Sequence, residues 1–468
     1  VITTKKGTAG KVSYNFQSQY GWQNYASDGR QVLTGSQRLD LASEAMVNDL
    51  GFSKQGALDY LLRVRQDYRD WDARGRVDFS WEDATRVNDA PIQSYDLSAA
   101  GGDADQNFRV SLGYKQQDAI NIGSDYEAVS GSVSYTRKAG KVTLETSNRV
   151  TNGIRNGLLE GNSYFGNVVT TKFFMPVTQT AYNPDGSYLV PHPAGLHNTV
   201  YLANTDIYKQ DNTRAISNNS ITYDIGYGIK AKSTFAIDYN STFVHQYRNP
   251  IEGDGSFTDG NSYQANSRYF TWSTINRLEY SETFGDNEHF VSAIIGQSYQ
   301  KNKSDSLSAY GEAPASEGLY YVASFPTNQE GYAAFSDWSV LSYLAVANYS
   351  YKDKYIFNFT WRNDGSSRFA SGYRFGNFFS YGAAWNISNE NFLADSSIVS
   401  NLKLRASWGE AGDQNIGLNQ YQSLFGYGAD YDSSAAVYPT SFGNAVISWE
   451  KSEKLDVALD FGLFNDRV

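Results

Sequence analysis

The chain has 468 residues, a net charge of −11 and a mean hydropathy of −0.51. This acidic balance argues against nucleic acid as a partner, because phosphate binding requires clustered lysine and arginine. The chain contains no cysteine, which excludes disulfides, thiolate metal sites and cysteine nucleophiles from these residues, and no run of roughly 18 apolar residues that would predict a transmembrane helix. Aromatic residues make up 15% of the chain and glycine contributes 41 residues, a composition typical of a β-rich protein.

Alternation of apolar and polar residues with a period of two is the dominant pattern. Phe108, Val110 and Leu112 alternate with Arg109 and Ser111, and the segment 355–361 behaves in the same way. A period of two places one set of side chains on each face of a β-strand. The pattern therefore predicts strands with one apolar and one polar face.

The first predicted strand spans 11–21, and the segment 22–91 connects it to the next. Two helical stretches are expected in this connection. In 36–50, Leu39, Ala42 and Met46 share a face and Gly51 occupies a capping position; the second stretch is 57–70. We interpret both as folded elements of a loop rather than as parts of a catalytic site.

The remaining strands are predicted in pairs along the chain. They span 92–100, 107–117, 128–138, 141–151, 214–225, 229–240, 268–281, 289–301, 339–351, 355–361, 378–386, 402–408 and 448–461. With the first strand this gives about fourteen, and the boundaries are uncertain by a few residues.

Connections between these strands alternate in length. Short turns such as 139–140 and 226–228 alternate with long segments at 22–91, 152–213, 302–337 and 410–446. Short turns on one side and long loops on the other are typical of a transmembrane outer-membrane β-barrel. Aromatic residues near strand ends would suit the interfacial girdles of such a barrel; they are Trp272, Tyr280, Tyr351, Tyr355 and Trp361. The predicted fold class is therefore all-β, an antiparallel transmembrane β-barrel.

Several stretches resemble the SusC/RagA-like family of TonB-dependent outer-membrane transporters of Bacteroidetes. They are Val1–Gly7, Gly101-Gly102 with Phe108–Tyr114, Tyr355–Phe369, Leu402–Gly409 with Gly412-Asp413-Gln414, and Trp449-Glu450-Lys451. Each motif is modest alone, but they occur in the family's order along nearly the whole chain. The resemblance implies a barrel of roughly 22 strands with a plugged lumen.

The same resemblance implies a division of the chain. Residues 1–10 correspond to the end of the plug and its link to the barrel, and residues 11–468 to a partial barrel with long extracellular loops. The plug itself and about eight strands of the expected roughly 22 are not found in the sequence. An open barrel in lipid would leave two strand edges unpaired at high cost, so we expect the chain to be part of a longer polypeptide.

Residues with catalytic or metal-binding chemistry are sparse. The four histidines are His192, His197, His245 and His289, and none lies in a zinc-protease pattern. The segment 252–259 resembles a calcium loop only loosely, because the spacing and closing glutamate of an EF-hand are absent. We therefore predict that the protein is not an enzyme and that it has no cofactor and no metal site.

Binding chemistry is concentrated in aromatic residues of the long connections. These residues include Trp71, Trp81, Tyr164, Phe165, Phe173, Phe174, Tyr182, Tyr188, Tyr320, Tyr321, Trp338, Tyr427 and Tyr431. Aromatic faces stack on sugar rings and also accept peptide side chains. The substrate-binding candidates are Trp71, Tyr164, Phe165, Tyr320, Tyr321 and Tyr427. The alternative is that these rings pack the loops against one another or against a lid protein.

The resemblance implies active import of a large nutrient, an oligosaccharide first of all, across the outer membrane of a Gram-negative bacterium. It also implies a SusD-like surface lipoprotein, the TonB complex and a dimer of transporter–lipoprotein pairs as partners. An oligopeptide importer of the same family and a passive porin remain as alternatives. A surface adhesin or outer-membrane enzyme is disfavoured, because no loop contains a convergent catalytic set.

Overall fold

The computed structural model describes residues 7, 9–27, 29–159, 167–193, 196–393, 398–432 and 434–464. Within these residues, fourteen strands form one sheet in which each strand is hydrogen-bonded to its neighbours along the chain, apart from one inserted hairpin. Every pairing in the sheet is antiparallel. The all-β antiparallel prediction and its fourteen strands are confirmed.

The strands have the following bounds. They are β1 (Gly10–Gln23), β2 (Ala90–Gly102), β3 (Gln106–Asp118), β4 (Asp125–Ala139), β5 (Val142–Gly157), β6 (Ile207–Gly226), β7 (Ile229–Arg248), β8 (Asn261–Phe284), β9 (His289–Glu312), β10 (Thr327–Tyr351), β11 (Tyr355–Ser366), β12 (Phe375–Asn386), β13 (Val399–Asp413), β14 (Leu424–Tyr431), β15 (Ser434–Ser441) and β16 (Glu450–Leu463). The hairpin β14–β15 forms a separate two-stranded sheet between β13 and β16.

Helices occur in two of the connections. They are α1 (Gly35–Leu50), α2 (Lys54–Val64), α3 (Gln66–Ala73), α4 (Trp81–Thr85), α5 (Thr171–Phe174) and α6 (Thr199–Thr205). A capping box between Thr34 and Gln37 starts α1, and Gly51 ends it at φ 70°. Among the described residues, no α-helix is both long and apolar enough to span a membrane.

The helix predicted over 57–70 is two helices instead of one. Arg65 has an extended backbone, with φ −78° and ψ 118°, and separates α2 from α3. The break restarts the helical register, so that Tyr68 and Trp71 of α3 reach the same buried cluster as Leu61 of α2. Periodicity alone did not show this break, because apolar residues continue on both sides of it.

Connection length separates the two edges of the sheet. One edge has 103–105, 140–141, 227–228, 285–288, 352–354 and 387–398, whereas the other has 24–89, 119–124, 158–206, 249–260, 313–326, 367–374 and 414–449. Gly140 and Gly228, at φ 58° and 74°, supply the left-handed backbone that the tightest turns need. The predicted alternation is present in most connections. The exceptions are 119–124 and 367–374, which are short for their edge, and 387–398, which is as long as 249–260 on the opposite edge.

Two of the predicted long loops contain strand. Most of 302–337 belongs to β9 and β10, which pair up to Glu312 and Thr327, and 410–446 contains the hairpin β14–β15. In β9, residues 300–306 are polar on both faces, and in β10, residues 332–335 are apolar on both faces. The alternation that reveals a strand is lost in both places. The pairing itself comes from backbone hydrogen bonds, which do not depend on side-chain polarity.

The two faces of the sheet differ in polarity. One row of paired residues contains Phe16, Leu97 and Leu112, while the adjacent row contains Asn15 and Ser98. Since only alternate residues of a barrel strand face lipid, the apolar face is the outer face and the polar face is the inner face.

Strand tilt follows from the register. The outer row through Phe16 runs across the sheet to Lys303 and Asp337. The outer row through Phe359, by contrast, reaches the first residue of β7, Ile229. The apolar band is therefore oblique to the hydrogen-bonded rows, as expected for strands tilted in a barrel wall.

Polar side chains on the outer face are paired with one another. Thr146 Oγ1 donates to Asn219 Oδ1 at 2.6 Å, and Ser233 Oγ donates to Asn276 Oδ1 at 2.7 Å. No water is available in the bilayer core, so such groups need partners within the protein. These cross-strand pairs let a polar position occur in the outer face.

A ladder of aromatic rings lines the short-turn edge. Phe284, His289, Tyr351, Tyr355 and Trp385 lie on five successive strands, with neighbouring ring centroids between 4.8 and 6.5 Å apart. The hydroxyl of Tyr355 and the indole N–H of Trp385 donate to Glu390 Oε1 at 2.7 and 3.1 Å. These hydrogen bonds, with one from Lys354, lower the pKa of Glu390 to about 2. The arrangement is that of an interfacial aromatic girdle.

Candidate functional site

The long-connection edge carries a folded layer with its own hydrophobic core. Trp81 of α4 is 1% exposed and packs with Met175, Ala181 and Val200 of the 158–206 connection. Its indole Nε1 donates to Pro176 O at 3.1 Å. The 24–89 and 158–206 connections are therefore packed together.

Polar contacts reinforce the same junction. Lys172 Nζ lies 2.9 Å from Glu82 Oε2, and Arg74 Nη2 donates to Thr178 O at 2.8 Å. Both contacts join the 24–89 connection to the 158–206 connection. Together with the Trp81 core they make one structural unit from two connections that are distant in sequence.

A buried carboxylate ties the 249–260 connection to this unit. Glu252 is 2% exposed and accepts hydrogen bonds from the backbone N–H of Asn198 at 2.8 Å and of His192 at 3.2 Å. His197 Nδ1 lies 3.5 Å from Glu252 Oε1 and accepts a hydrogen bond from the N–H of Gly253. Burial lowers the pKa of His192, which favours its neutral form. The chemistry of this cluster is that of a structural tie.

Trp71, a predicted substrate-binding residue, lies inside the layer. It is 1% exposed, packs with Leu39, Leu61 and Tyr68, and donates from Nε1 to Asp78 Oδ1 at 2.9 Å. Its ring packs the helices of the first connection. Loop aromatics were expected either to contact substrate or to pack the loops against one another, and this ring packs the loop.

Tyr320 and Tyr321 lie together on the outer flank of the wall. The carbonyl of Tyr320 accepts hydrogen bonds from His245 Nε2 and from Ser262 Oγ, at 3.0 and 2.7 Å. The ring of Tyr321 stacks on His245 with centroids 4.9 Å apart, and Tyr320 packs edge-on against Tyr247. His245, Tyr247 and Ser262 occupy outer-face positions in the strand register. The 313–326 connection therefore folds over the outside of the wall.

A cavity of about 630 Å³ opens beside Tyr320. Asp206, Asp259 and Glu317 line it, together with the ring of Tyr247. Burial raises the pKa of Asp206 to about 6, although two hydrogen bonds from Asn249 act in the opposite direction. The cavity is acidic and aromatic, and it lies outside the strand wall above the apolar band.

The other predicted binding residues lie elsewhere. Tyr427 is on β14 and is 83% exposed, so its ring is free for contact. Tyr164 and Phe165 are outside the described residues. Among the candidates that the structure describes, only Tyr320 and Tyr321 lie together.

Metal chemistry finds no support within the described ranges. No group of three or more histidine, cysteine or acidic side chains there could hold a metal ion. The segment compared with a calcium loop contains a 3₁₀ helix at Gly253–Thr258, and Glu252 is used in the structural tie.

The inner face of β8, β9 and β10 is a feature that sequence reasoning missed. Trp338, assigned to a loop from the sequence, lies within β10 at an inner position paired with Asn302. Tyr269 and Tyr332 occupy inner positions on β8 and β10 and are 47% and 63% exposed. One signal in the sequence could have found them. In 301–308, serine alternates with lysine and aspartate, and in a β-strand this alternation places the serines on one face and the charged residues on the other.

Comparison with known proteins finds relatives in sequence and in fold. No family model matches the chain. The chain is 26% identical to TonB-dependent receptor P3 of Formosa agariphila, over 100% of the chain and 45% of that receptor. It is 24% identical to TonB-dependent receptor SusC of Bacteroides thetaiotaomicron, over 100% of the chain and 47% of that receptor. The chain spans about half the length of the curated relatives it matches.

A solved structure supports the fold independently. The RagAB peptide importer in its open-open state superposes with a TM-score of 0.84, at 22% identity, over 99% of the chain and 54% of that chain. At this identity the likeness concerns the fold. The fourteen-stranded sheet therefore has the fold of part of the barrel wall of that importer.

The chain is thus similar to TonB-dependent receptors in sequence. It is similar to SusC in sequence and to RagAB in fold. The predicted resemblance and the predicted outer-membrane location are confirmed, and the relatives are receptors and transporters rather than enzymes. The division into residues 1–10 and 11–468 stays a prediction, and most of the first segment lies outside the described residues.

Proposed function

We propose that this protein forms part of a transporter that imports a large nutrient, an oligosaccharide first of all, across the outer membrane with energy from TonB. The observation that carries the proposal is a barrel wall whose long-connection edge is folded into a packed layer. A receptor needs a preformed surface to capture its solute, and a layer with its own hydrophobic core supplies one at the extracellular edge. The names of the matched receptors support the same function.

Partner contact is proposed for the exposed hairpin β14–β15. Tyr427 and Tyr431 are 83% and 81% exposed, and Phe442 just beyond the hairpin is 91% exposed. Exposed aromatic clusters of this kind mark interaction surfaces. A SusD-like lipoprotein that covers the extracellular opening would bury them. A dimer of transporter–lipoprotein pairs remains part of the proposal through the resemblance alone.

An oligopeptide is the alternative substrate, and it is favoured by one specific observation. The solved neighbour with the same fold is described as a peptide importer. The binding candidates Tyr320, Tyr321 and Tyr427 have exposed rings, and such rings can contact sugars or peptides. Trp71 is left out of this set because its ring is buried, and Tyr164 and Phe165 stay predictions.

The test is uptake in cells carrying the full-length gene with its neighbouring genes. We expect uptake of labelled oligosaccharide to be lost when TonB is deleted, because the plugged barrel cannot open without it. Tyr427→Ala should reduce uptake and lipoprotein co-purification. Tyr227→Ala, at a residue 93% exposed on a short turn at the opposite edge, is the matched control and should leave both unchanged. Uptake that persists without TonB would support the passive porin, and uptake of peptides alone would support the peptide importer.

A further inference from the structure

The inner face of three neighbouring strands carries no charge over a long stretch. Inner positions are every second residue in 263–275 of β8, 298–310 of β9 and 332–342 of β10, as the continuous strand pairing shows. All of these residues are uncharged, and serine is the commonest among them. We call this surface the neutral inner field.

The absence of charge is specific to this face. Within the same stretches, the outer positions hold Arg268, Lys301, Lys303, Asp305 and Asp337. Two ion pairs form there, Arg268 with Asp305 at 3.0 Å and Lys301 with Asp337 at 3.1 Å. Within these stretches every charged side chain therefore faces outward, which reverses the expectation of a polar, charged interior above the membrane. Outside the stretches the inner face is charged again, at Arg277 and Glu279 of β8 and at Glu330 of β10.

Charges reappear beside the neutral inner field on both sides. On β6 and β7, Arg214 pairs with Asp238 at 2.6 Å, and on β11, Arg362 pairs with Asp364 at 3.0 Å. The field is therefore a bounded strip rather than a general property of the wall.

Aromatic rings are distributed over the strip. Tyr269 and Tyr332 are 47% and 63% exposed, and Tyr269 pairs with Ser304 in the register. Ser336 and Trp338 occupy successive inner positions on β10. The guanidinium of Arg368 lies 5.6 Å from the ring centroid of Trp338. The hydroxyls of Ser304, Ser306 and Ser308 follow one another along β9 at alternate residues. Rings that stack on C–H faces, next to hydroxyls that donate and accept, match the surface of a sugar chain.

We infer that the neutral inner field is a binding track for uncharged oligosaccharides, with Trp338 and Tyr269 as stacking residues. The inference rests on the proposed import function and narrows its substrate. A charged peptide or acidic glycan passing along the strip would lose water without gaining a counter-charge from the three strands, which is unfavourable. The guanidinium of Arg368 beside Trp338 belongs to the connection after β11 and donates to the carbonyl of Ile416. A neutral glycan exchanges its water for serine hydroxyls and aromatic faces.

The test uses the full-length transporter with its lipoprotein in cells, and measures uptake against substrate concentration. For a neutral oligosaccharide, we expect Tyr269→Ala with Trp338→Ala to raise the half-saturating concentration about tenfold, the loss expected for removing stacked rings. Ser306→Asp should have a similar effect. Leu307→Asp and Phe335→Ala, at outer positions that are 63% and 65% exposed, are the matched controls and should leave uptake unchanged.

Two kinds of failure are distinguishable. If the unaltered protein shows no TonB-dependent uptake of any oligosaccharide or peptide, the proposed function is wrong. If it imports oligosaccharides, but the inner variants behave like the outer controls, or acidic glycans enter as well as neutral ones, the inference is overturned while the import function stands. Surface abundance of each variant, measured by antibody on intact cells, separates a binding defect from a failure to fold.

Discussion

Glu252 shows how a single side chain can organise an extracellular layer. Its carboxylate is 2% exposed and accepts the N–H groups of Asn198 and His192. Both donors belong to a connection about sixty residues away. A buried N–H that loses its acceptor costs about 1–3 kcal/mol, so the tie is strong relative to the stability of a loop.

Replacing Glu252 by alanine should therefore loosen the extracellular layer without unfolding the wall. We expect faster protease cleavage in 167–206 and 249–260 on intact cells, with an unchanged unfolding temperature of the barrel. Glu252→Gln keeps one acceptor oxygen and should show a smaller effect. Equal protease resistance of Glu252→Ala and the unaltered protein would contradict this role.

Asp206 predicts a pH dependence of the same layer. Burial raises its pKa from 3.8 to about 6, so the folded state holds the proton more tightly than the unfolded state does. The stabilisation from this proton is complete below the ordinary pKa and is lost as the pH rises through about 6.

Asp206→Asn removes this titration while keeping an acceptor for Asn249. We expect the unaltered protein to lose stability relative to Asp206→Asn as the pH is raised from about 4 to about 7, the range that spans both pKa values. Protease resistance of the 249–260 connection, measured across pH for both proteins, reports the difference. A difference that does not vary with pH would show that Asp206 does not titrate in this range.

At the scale of the elements, strands that face lipid contain polar side chains, and these need hydrogen-bond partners where no water is present. Ser233 and Asn276 lie opposite each other on β7 and β8 and share a hydrogen bond of 2.7 Å. In hydrocarbon neither group can turn to water, so each depends on the other. The pair allows two polar residues to occupy a lipid-facing position.

Breaking one half of this pair should cost more than removing both halves. Ser233→Ala leaves the Asn276 carbonyl without its donor, and we expect a loss of about 1–3 kcal/mol of stability. The double variant Ser233→Ala with Asn276→Leu should recover most of that loss. Urea unfolding of the barrel in lipid vesicles measures both, and a double variant less stable than the single one would show that the pair has another role.

At the scale of the whole molecule, the two edges of the sheet predict its orientation. Short periplasmic turns and long extracellular connections are the rule for outer-membrane barrels. Tyr227 on the β6–β7 turn is 93% exposed, and Phe257 on the β7–β8 connection is 79% exposed. The 468 residues contain no cysteine, so an introduced thiol is the single one within them. The unaltered full-length protein, labelled in parallel, measures any labelling from outside these residues.

A membrane-impermeant maleimide should distinguish the two edges in intact cells. We expect Phe257→Cys to be labelled directly, and Tyr227→Cys only after the outer membrane is permeabilised. Both should be labelled equally in detergent, which controls for reactivity. Labelling of Tyr227→Cys alone in intact cells would reverse the orientation.

Sequence by itself determined the strand class, the number of strands in the sheet and, within each recognised strand, the face to which each side chain belongs. These properties are local, because a period of two fixes the faces of a strand without reference to its neighbours. The strand 355–361 was recognised on this basis, and the fourteen-strand sheet followed from repeating the same reasoning along the chain.

Tertiary structure alone decided which residues meet. Tyr320 and Tyr321 were expected in a substrate-facing loop, yet their connection folds over the outer flank onto His245 and Tyr247. Trp338 was expected in a loop, yet it lies on the inner face of β10. Both outcomes depend on hydrogen-bond register between distant segments and on loop packing. The sequence pattern does not encode either of them locally. Residues 300–306 are polar on both faces and residues 332–335 apolar on both faces, which leaves no alternation to read.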